Sequence, residues 1–364
     1  LTPGEGQVEW VQSSFTKNEL LVTHNIGNID RRQVSRLDLS TFELELLSDP
    51  QTINWAPVRI ENGLAWFQSN WNQPGWPMIQ TYGKKKMLAE SYFPSNFPKT
   101  LSKPEPVRIK AKDGFETSAQ LFLPANYDPK KKYPAVIFIH GGSRRQMLLG
   151  YNYGLYYSHT YGAQQFFASQ GYIALTINYR SGIGYGMDFR EEENYGAGGA
   201  SEVQDVLAAA DFLAARPDVD ASQIAPWGGS YGGYLTAHAL SQAPEKFHVG
   251  VDIHGVHNWN NDIPVFAPWY APEKFPKMAE LAFKSSPMNY VKNWKDPVLL
   301  IHGDDDRNVL FSESVELAEV LRKQGVEVEQ LVFPDEVHAF LLHQNWVKAF
   351  DATYHFITKH SLGK

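Results

Sequence analysis

Short runs of alternating apolar and polar residues, separated by turn residues, occupy the first 90 positions. They form two groups of four, which predict two sets of four β-strands: Val8–Val11, Glu19–Thr23, Gln33–Leu39 and Phe42–Leu46, then Pro57–Ile60, Leu64–Ser69, Pro77–Thr81 and Lys86–Leu88. The groups also share residues, since Trp10 recurs as Trp55, 55 − 10 = 45 positions later. Four strands repeating every 40–45 residues or so are typical of a β-propeller blade.

Residues 1–90 are therefore predicted to be a partial β-propeller of about two blades. A small antiparallel sheet with coincidental internal similarity is the alternative. A closed propeller needs roughly four to eight blades. We accordingly expect the remaining blades to precede Leu1.

The pattern changes after residues 91–106, a stretch with four prolines that reads as a linker. From 107 to 364, nearly continuous apolar runs alternate with helical patterns such as 200–216 and 312–325. Buried strands that alternate with helices indicate an α/β domain with a mostly parallel, doubly wound sheet. The apolar runs are Ala135–Ile139, Tyr172–Ile177, Val249–Ile253, Val298–Ile301 and Gln330–Phe333.

Charge and composition exclude several classes of function. Lys and Arg number 33 against 40 Asp and Glu, so the net charge is 33 − 40 = −7, which argues against nucleic acid or an anionic membrane as partner. No apolar run approaches the roughly 18 residues of a spanning helix. The chain has no cysteine, which excludes disulfides, cysteine–zinc sites and thiol catalysis. A cysteine-free chain suits cytosol and periplasm alike, so the compartment stays open.

The sharpest local motif is the G-x-S-x-G sequence around Ser230, from Gly228 to Gly232. It follows a predicted strand (223–227) and precedes an apolar helix (234–241), which is the context of a nucleophile elbow. Glycines on both sides remove the Cβ atoms that a tight strand-to-helix turn would not accommodate. A serine in such a turn is a candidate nucleophile, and a glycine-rich structural turn is the alternative.

A serine nucleophile needs a base and an acid, which follow it along the chain in this type of fold. The loop after strand 298–301 offers Asp304, Asp305 and Asp306 as the acid. His338 lies in the loop after strand 330–333, while its rival His343 falls in the following helix. The pair His254 and His257 has metal-ligand spacing but no matching third ligand, so no metal is predicted.

From about residue 104 onward the chain resembles the catalytic domain of the prolyl oligopeptidase family of serine peptidases, including its dipeptidyl-peptidase and acylaminoacyl-peptidase branches. This resemblance implies an α/β-hydrolase fold. It also fits the two predicted blades, because family members carry an N-terminal propeller, and it implies that the amino-terminal part is absent. Five motifs carry it in order: His140-Gly141-Gly142, Asn178 to Gly186, the Ser230 elbow, His302-Gly303 with Asp306 and Val309, and the His338 loop.

The resemblance assigns residue roles in this sequence. It implies Ser230 as nucleophile, Asp306 as acid and His338 as base. The N–H of Tyr231 is one implied oxyanion donor, and a backbone N–H at Gly141 or Gly142 is the other, because His140 stands where other branches have a tyrosine. The implied substrate-binding residues are Val256, Trp259, Asn308, Val309 and His140, with Tyr231 also in the pocket. Asp262 and Phe266 stand near the positions of tyrosines that flank a proline ring, so strict proline preference is not expected.

The sequence thus predicts a serine peptidase that hydrolyses short peptides through an acyl-enzyme, with no cofactor. A carboxylesterase on the same fold is the alternative, because a fold does not fix its substrate. An inactive binding module is a third class, disfavoured by the intact serine, aspartate and histidine. Expected partners are short peptides and the missing propeller segment of the same parent chain. Whether the protein forms a homo-oligomer stays open.

Overall fold

The computed structural model describes residues 6–361, and two small antiparallel sheets make up its first part. Each has four strands that lie side by side in chain order. Trp10 and Trp55 lie on the first strand of their respective sheets, and both rings contact Tyr153, at centroid distances of 4.9 and 6.3 Å. The strands are β1 (Val8–Ser13), β2 (Glu19–His24), β3 (Gln33–Asp38) and β4 (Leu44–Leu46), then β5 (Ile53–Ile60), β6 (Gly63–Asn70), β7 (Gln73–Thr81) and β8 (Lys84–Met87).

A larger sheet of eight strands follows. Its order is β9-β10-β12-β11-β13-β14-β15-β16. The pairs that join β9, β10 and β12 are antiparallel, and every other pair is parallel. The strands are β9 (Glu105–Lys110), β10 (Glu116–Phe122), β11 (Tyr133–Ile139), β12 (Ile173–Asn178), β13 (Val219–Gly229), β14 (Gly250–Ile253), β15 (Val298–Gly303) and β16 (Val328–Phe333).

Helices cover both faces of this sheet, which gives the domain two apolar cores. Helices α3, α4 and α7 contribute to one core, and α1 and α8 to the other. Strand β11 shows the alternation, because Ile137 belongs to the first core and Phe138 to the second. This arrangement is the α/β-hydrolase fold. Its helices are α1 (Leu155–Ser169), α2 (Met187–Arg190), α3 (Val203–Ala214), α4 (Tyr231–Gln242), α5 (Trp259–Phe266), α6 (Pro276–Lys284), α7 (Phe311–Lys323) and α8 (His343–Ser361).

Helix α4 begins three residues earlier than the apolar pattern predicts. Gly232 and Gly233 lie inside it, although glycine is a poor helix former. A Cβ on Gly232 would lie 2.0 Å from the carbonyl oxygen of Ile139, and one on Gly233 would lie 2.4 Å from Oδ1 of Asp252. The glycines are therefore needed for the close approach of helix and sheet.

The segment between β2 and β3 of the first small sheet contacts the large domain through buried polar groups. The Asn25 side chain donates to the carbonyl of Gly184 at 2.8 Å, and the Arg32 guanidinium donates to the Gln146 side chain at 2.8 Å. Arg32 is fully buried, and Glu9 balances its charge. Within residues 6–361, no helix combines the length and the apolar character that crossing a membrane requires.

Candidate active site

The predicted nucleophile sits at the junction of β13 and α4. Ser230 has φ 59° and ψ −122°, a conformation that few residues with a side chain adopt. Its N–H donates to the carbonyl oxygen of Ile253 on the neighbouring strand at 2.8 Å. A Cβ on Gly228 would lie 2.4 Å from the carbonyl oxygen of Ile139, so this position also requires glycine. The tight turn therefore places Ser230 at the carboxyl edge of the sheet.

Two loops at the same edge bring a histidine and an aspartate to this serine. The Nε2 atom of His338 lies 2.8 Å from the Ser230 Oγ, and its Nδ1 atom lies 2.7 Å from the Asp306 Oδ2. His338 follows β16 and Asp306 follows β15. Because the carboxyl ends of parallel strands meet at one edge of an open α/β sheet, residues far apart in sequence converge there.

Asp306 is held in place and kept ionised by its surroundings. Its Oδ1 accepts the backbone N–H groups of Asn308 and Val309 at 2.8 and 3.1 Å, and its Oδ2 also contacts His302 Nε2 at 3.2 Å. Burial alone would raise the pKa of Asp306, but the hydrogen bonds from His302 and His338 outweigh it and hold the pKa well below its usual range. An ionised Asp306 favours the His338 tautomer with a proton on Nδ1, which leaves Nε2 free to accept one.

The other candidates for the acid and the base, Asp304, Asp305 and His343, do not take part in these hydrogen bonds. Asp304 is exposed and accepts the backbone N–H of Asp335 at 2.7 Å. Asp305 is exposed and pairs with Arg307 at 3.0 Å. His343 begins α8, and its ring lies 6.1 Å from that of His159. Of the two histidines, His338 is the one that contacts Ser230, and of the three aspartates, Asp306 is the one that bonds His338.

A second histidine, which sequence reasoning considered only as a metal ligand, packs against His338. The ring centroids of His254 and His338 are 4.3 Å apart, and His254 is fully buried at the end of β14 with φ 45°. Burial, reinforced by the charges of His338 and His302, keeps the pKa of His254 well below its usual value. Its ring is therefore neutral, and it supports the His338 ring without competing for the proton.

The pair His254 and His257 does not converge on one point. His257 Nε2 lies 2.7 Å from Asp252 Oδ2, and its Nδ1 contacts the carbonyl oxygen of Glu313 at 3.0 Å. Ligand atoms of His254, Asp306 and His338 do lie within 4.8 Å of one another, a spacing that could hold a metal ion. His338 already bonds both Asp306 and Ser230.

The loop after β11 approaches the serine from the other side. A Cβ on Gly141 would lie 3.3 Å from the Ser230 Cβ and 3.4 Å from the Tyr157 hydroxyl, whereas one on Gly142 would meet Arg145. Gly141 is thus the residue of this loop whose backbone adjoins the nucleophile. Tyr231, at the start of α4, follows Ser230 directly.

His140, predicted to contact substrate, does not face the cleft. Its imidazole is fully buried, stacks on the Tyr179 ring at 4.2 Å and bonds the carbonyl oxygen of Gly141 through Nδ1 at 2.9 Å. Burial lowers the pKa of His140 to about 4, so the ring is neutral. The structure therefore corrects the sequence prediction, because a side chain packed inside the domain supports the loop and cannot bind a substrate directly.

Of the predicted pocket residues, Trp259 packs beside the Tyr231 ring. The Trp259 ring lies 6.0 Å from it, Val256 and Val309 are almost completely buried, and Asn308 is exposed. The Tyr231 hydroxyl donates to the buried carboxyl group of Glu202, which sequence analysis did not single out. Burial raises the pKa of Glu202 to about 7, although the bond from Tyr231 opposes the shift. In the sequence, the only indication that Glu202 is buried was its position just before the apolar face of a predicted helix.

Relatives share this catalytic part of the chain. The profile of the prolyl oligopeptidase family matches residues 158–364. Dipeptidyl-peptidase 5 of Porphyromonas gingivalis is 29% identical over 248 residues, which are 65% of this chain and 35% of that protein. Dipeptidyl aminopeptidase BIII of Pseudoxanthomonas mexicana is 30% identical over 265 residues, which are 68% of this chain and 37% of that protein. The chain thus matches little more than a third of each relative's length.

A solved structure extends the likeness in fold to almost the whole chain. The acylaminoacyl peptidase of Pyrococcus horikoshii superposes with a TM-score of 0.80 and 22% identity, covering 98% of this chain and 56% of its own. At this identity the likeness concerns the fold alone. The family match extends over more than half of the sequence. The chain belongs to the prolyl oligopeptidase family.

Proposed function

We propose that this protein is a serine peptidase that cleaves short peptides through an acyl-enzyme on Ser230. The observation that carries the proposal is the unbroken chain from the Ser230 Oγ through both ring nitrogens of His338 to the Asp306 carboxylate, with contacts of 2.8 and 2.7 Å. Such a chain is the arrangement that activates a serine hydroxyl, which is otherwise a weak nucleophile.

Each of the three residues has a defined role in the reaction. Ser230 Oγ attacks the substrate carbonyl while His338 Nε2 accepts its proton. Asp306 stabilises the imidazolium that forms and remains ionised. His338 then gives the proton to the leaving amine, and water, activated by the same ring, releases the acyl group. No bound cofactor is required for any of these steps.

The developing oxyanion needs donors on the far side of the carbonyl carbon. We assign one to the backbone N–H of Tyr231, the first residue of α4, where the helix N-terminus favours negative charge. We assign the second to the backbone N–H of Gly141, because that residue is the closer of the two glycines to Ser230. Gly142 then serves to turn the chain, with φ 106°.

We also propose a domain organisation for the chain. Residues 1–90 form about two propeller blades, 91–106 form a linker whose last two residues already belong to β9, and 107–364 form the catalytic domain. The two four-stranded sheets, their chain-order topology and the equivalent tryptophans support the blade assignment. A propeller beside the site would favour short peptides over folded proteins, and this expectation separates the protein from a carboxylesterase.

The substrate class is tested by comparing peptide anilides with short acyl esters that share the same acyl group. A peptidase is expected to hydrolyse both, with kcat/KM for the anilide within the range of ordinary peptidases, about 10⁴ M⁻¹s⁻¹ or more. Both activities should disappear in Ser230→Ala. Efficient ester cleavage without anilide cleavage would replace the proposal by a carboxylesterase.

Trp259→Ala tests the pocket. We propose that Trp259 and Val256 form an apolar wall for the residue whose carbonyl Ser230 attacks. An apolar wall discriminates by about 1–3 kcal/mol per methylene-sized change, so the variant should lose kcat/KM unevenly, by roughly 10- to 200-fold for large residues and less for small ones. Hydrolysis of a small acyl ester should change little, because Ser230, His338 and Asp306 are untouched.

The matched control is Trp269→Ala, since Trp269 is 62% exposed on the loop after α5. It should leave the substrate profile unchanged. If Trp259→Ala instead lowers activity on every substrate equally and also lowers the melting temperature, Trp259 supports the fold and the pocket assignment is wrong.

A further inference from the structure

One carboxyl group of α5 has no hydrogen-bond partner among residues 6–361. Asp262 is the only fully buried residue of α5 and is 1% exposed. No described residue forms a hydrogen bond with either of its carboxylate oxygens, and both oxygens are inaccessible to solvent. Buried carboxylates are normally paired or bonded, because an isolated buried charge is strongly unfavourable. The described residues thus leave Asp262 without the partner that a buried carboxylate normally has.

Among the described residues, no free cationic group balances a negative charge on Asp262. Those that act on it are the carboxylates of Glu313 and Asp306 and the ring of His257. His257 is already bonded to Asp252 at 2.7 Å, and Glu313 accepts the backbone N–H of His257 at 2.6 Å. The only cationic candidate is thus engaged elsewhere, and the two nearby carboxylates repel a negative charge on Asp262.

The location of Asp262 links it to the predicted pocket. It lies three positions after Trp259, so both residues occupy one face of α5. Trp259 packs against the ring of Tyr231, the residue that follows the nucleophile. The negative charge of Asp306 also acts on the Asp262 carboxyl group. Asp262 therefore shares a helix face with one residue of the predicted pocket.

We propose that the Asp262 carboxylate binds a cationic group of the substrate, and that the pocket consequently selects a basic residue at the position whose carbonyl Ser230 attacks. This inference rests on the proposed peptidase function. Aromatic and apolar walls suit the methylene stem of arginine or lysine, and aromatic faces attract the cation itself. A carboxylate among them completes a site for a guanidinium or ammonium group. The same chemistry could be supplied by a free amino terminus, which the experiment must separate from a side chain.

The test compares dipeptidyl anilides that end in arginine with the same anilides that end in citrulline, which has nearly the same shape and no charge. Both are measured with a free and with an acetylated amino terminus. For the native protein we expect kcat/KM to favour arginine by about 10- to 100-fold, the usual effect of a hydrogen bond to a charged group. In Asp262→Asn the arginine-to-citrulline ratio should fall to about one.

Glu280→Gln is the matched control, because it removes the same charge from an exposed position on α6. Its arginine-to-citrulline ratio should equal that of the native protein. If Asp262→Asn removes only a preference for the free amino terminus, the cation bound is that amine, and the basic-residue selectivity is wrong. A native ratio near one in both series would overturn the cation site altogether. Labelling of Ser230 by a fluorophosphonate in the same preparations shows whether the proposed peptidase function itself has failed.

The pH dependence of the melting temperature tests independently whether the Asp262 carboxyl group is buried without a partner. Burial, with the charges of Glu313 and Asp306, raises the pKa of Asp262 to about 7, while His257 opposes the shift. Folding therefore disfavours its ionisation, and the resulting loss of stability grows as pH rises from about 4, the usual pKa, through 7. Asp262→Asn should raise the melting temperature by roughly a few degrees at pH 8 and by less at pH 5. An equal change at both pH values, or a decrease, would show that Asp262 is a structural residue.

Discussion

Replacing Ser230 by alanine is expected to lower kcat by a factor on the order of 10⁶, with little change in KM or melting temperature. The variant removes the only atom that forms the acyl-enzyme bond. The side chain is small and its Oγ contacts His338, so alanine leaves neither a cavity nor a buried unpaired group of consequence. The loss should be the same for anilides and esters, because both pass through the same intermediate.

Ser222→Ala provides the comparison. Ser222 is exposed and its hydroxyl bonds only the side chain of Asp220, at 2.7 Å. This variant should retain full activity. If Ser230→Ala kept more than about a hundredth of the native kcat, a nucleophile other than Ser230 would have to be present, and the proposed mechanism would be wrong.

The second large effect is expected for Asp306→Asn, which should lower kcat by about 10⁴. The amide cannot stabilise an imidazolium and favours the His338 tautomer with its proton on Nε2, where it cannot accept the proton of Ser230. Because the impaired step is transfer of the Ser230 proton to His338, which precedes departure of the leaving group, the loss should be similar for anilides and activated esters. Steady-state kinetics on anilides and activated esters measure both quantities.

Asp305→Asn is the matched control, since Asp305 precedes Asp306 and has the same charge. It is exposed and pairs only with Arg307 at 3.0 Å, an arrangement worth little to stability. Its kcat should stay within about twofold of the native value. A comparable loss in both variants would mean that the loop after β15 acts through its overall charge or folding and that Asp306 has no special role.

Much of the fold could be predicted because local patterns determine it. Apolar runs such as 135–139 identified the buried strands, and the glycines around Ser230 identified the turn. The order of serine, acid and histidine along the chain, and the position of loops after predicted strands, limited the candidates for the acid to three adjacent aspartates and indicated His338 as the base. The distinction among Asp304, Asp305 and Asp306 depends on the path of one loop, which the residues alone do not specify.

Other features of the site could not be predicted because they arise from tertiary packing. Glu202, His254 and Asp262 are polar residues that the chain buries, whereas composition alone suggests exposed positions for them. For His140 the prediction was wrong in the opposite way. The resemblance suggested that its side chain contacts substrate, but the ring is buried against Tyr179. Burial of a polar side chain depends on residues that are distant in sequence, such as the Tyr231 that meets Glu202 across 29 positions.

The identity of the nucleophile is tested most directly by treating the protein with a fluorophosphonate and locating the adduct by peptide mass spectrometry. Such a reagent reacts with a serine that a neighbouring base activates, and it mimics the tetrahedral species at the oxyanion site. We predict one adduct per chain, on the peptide that contains Ser230, and none in Ser230→Ala. An adduct on a different serine, or undiminished labelling of Ser230→Ala, would contradict the proposed active site.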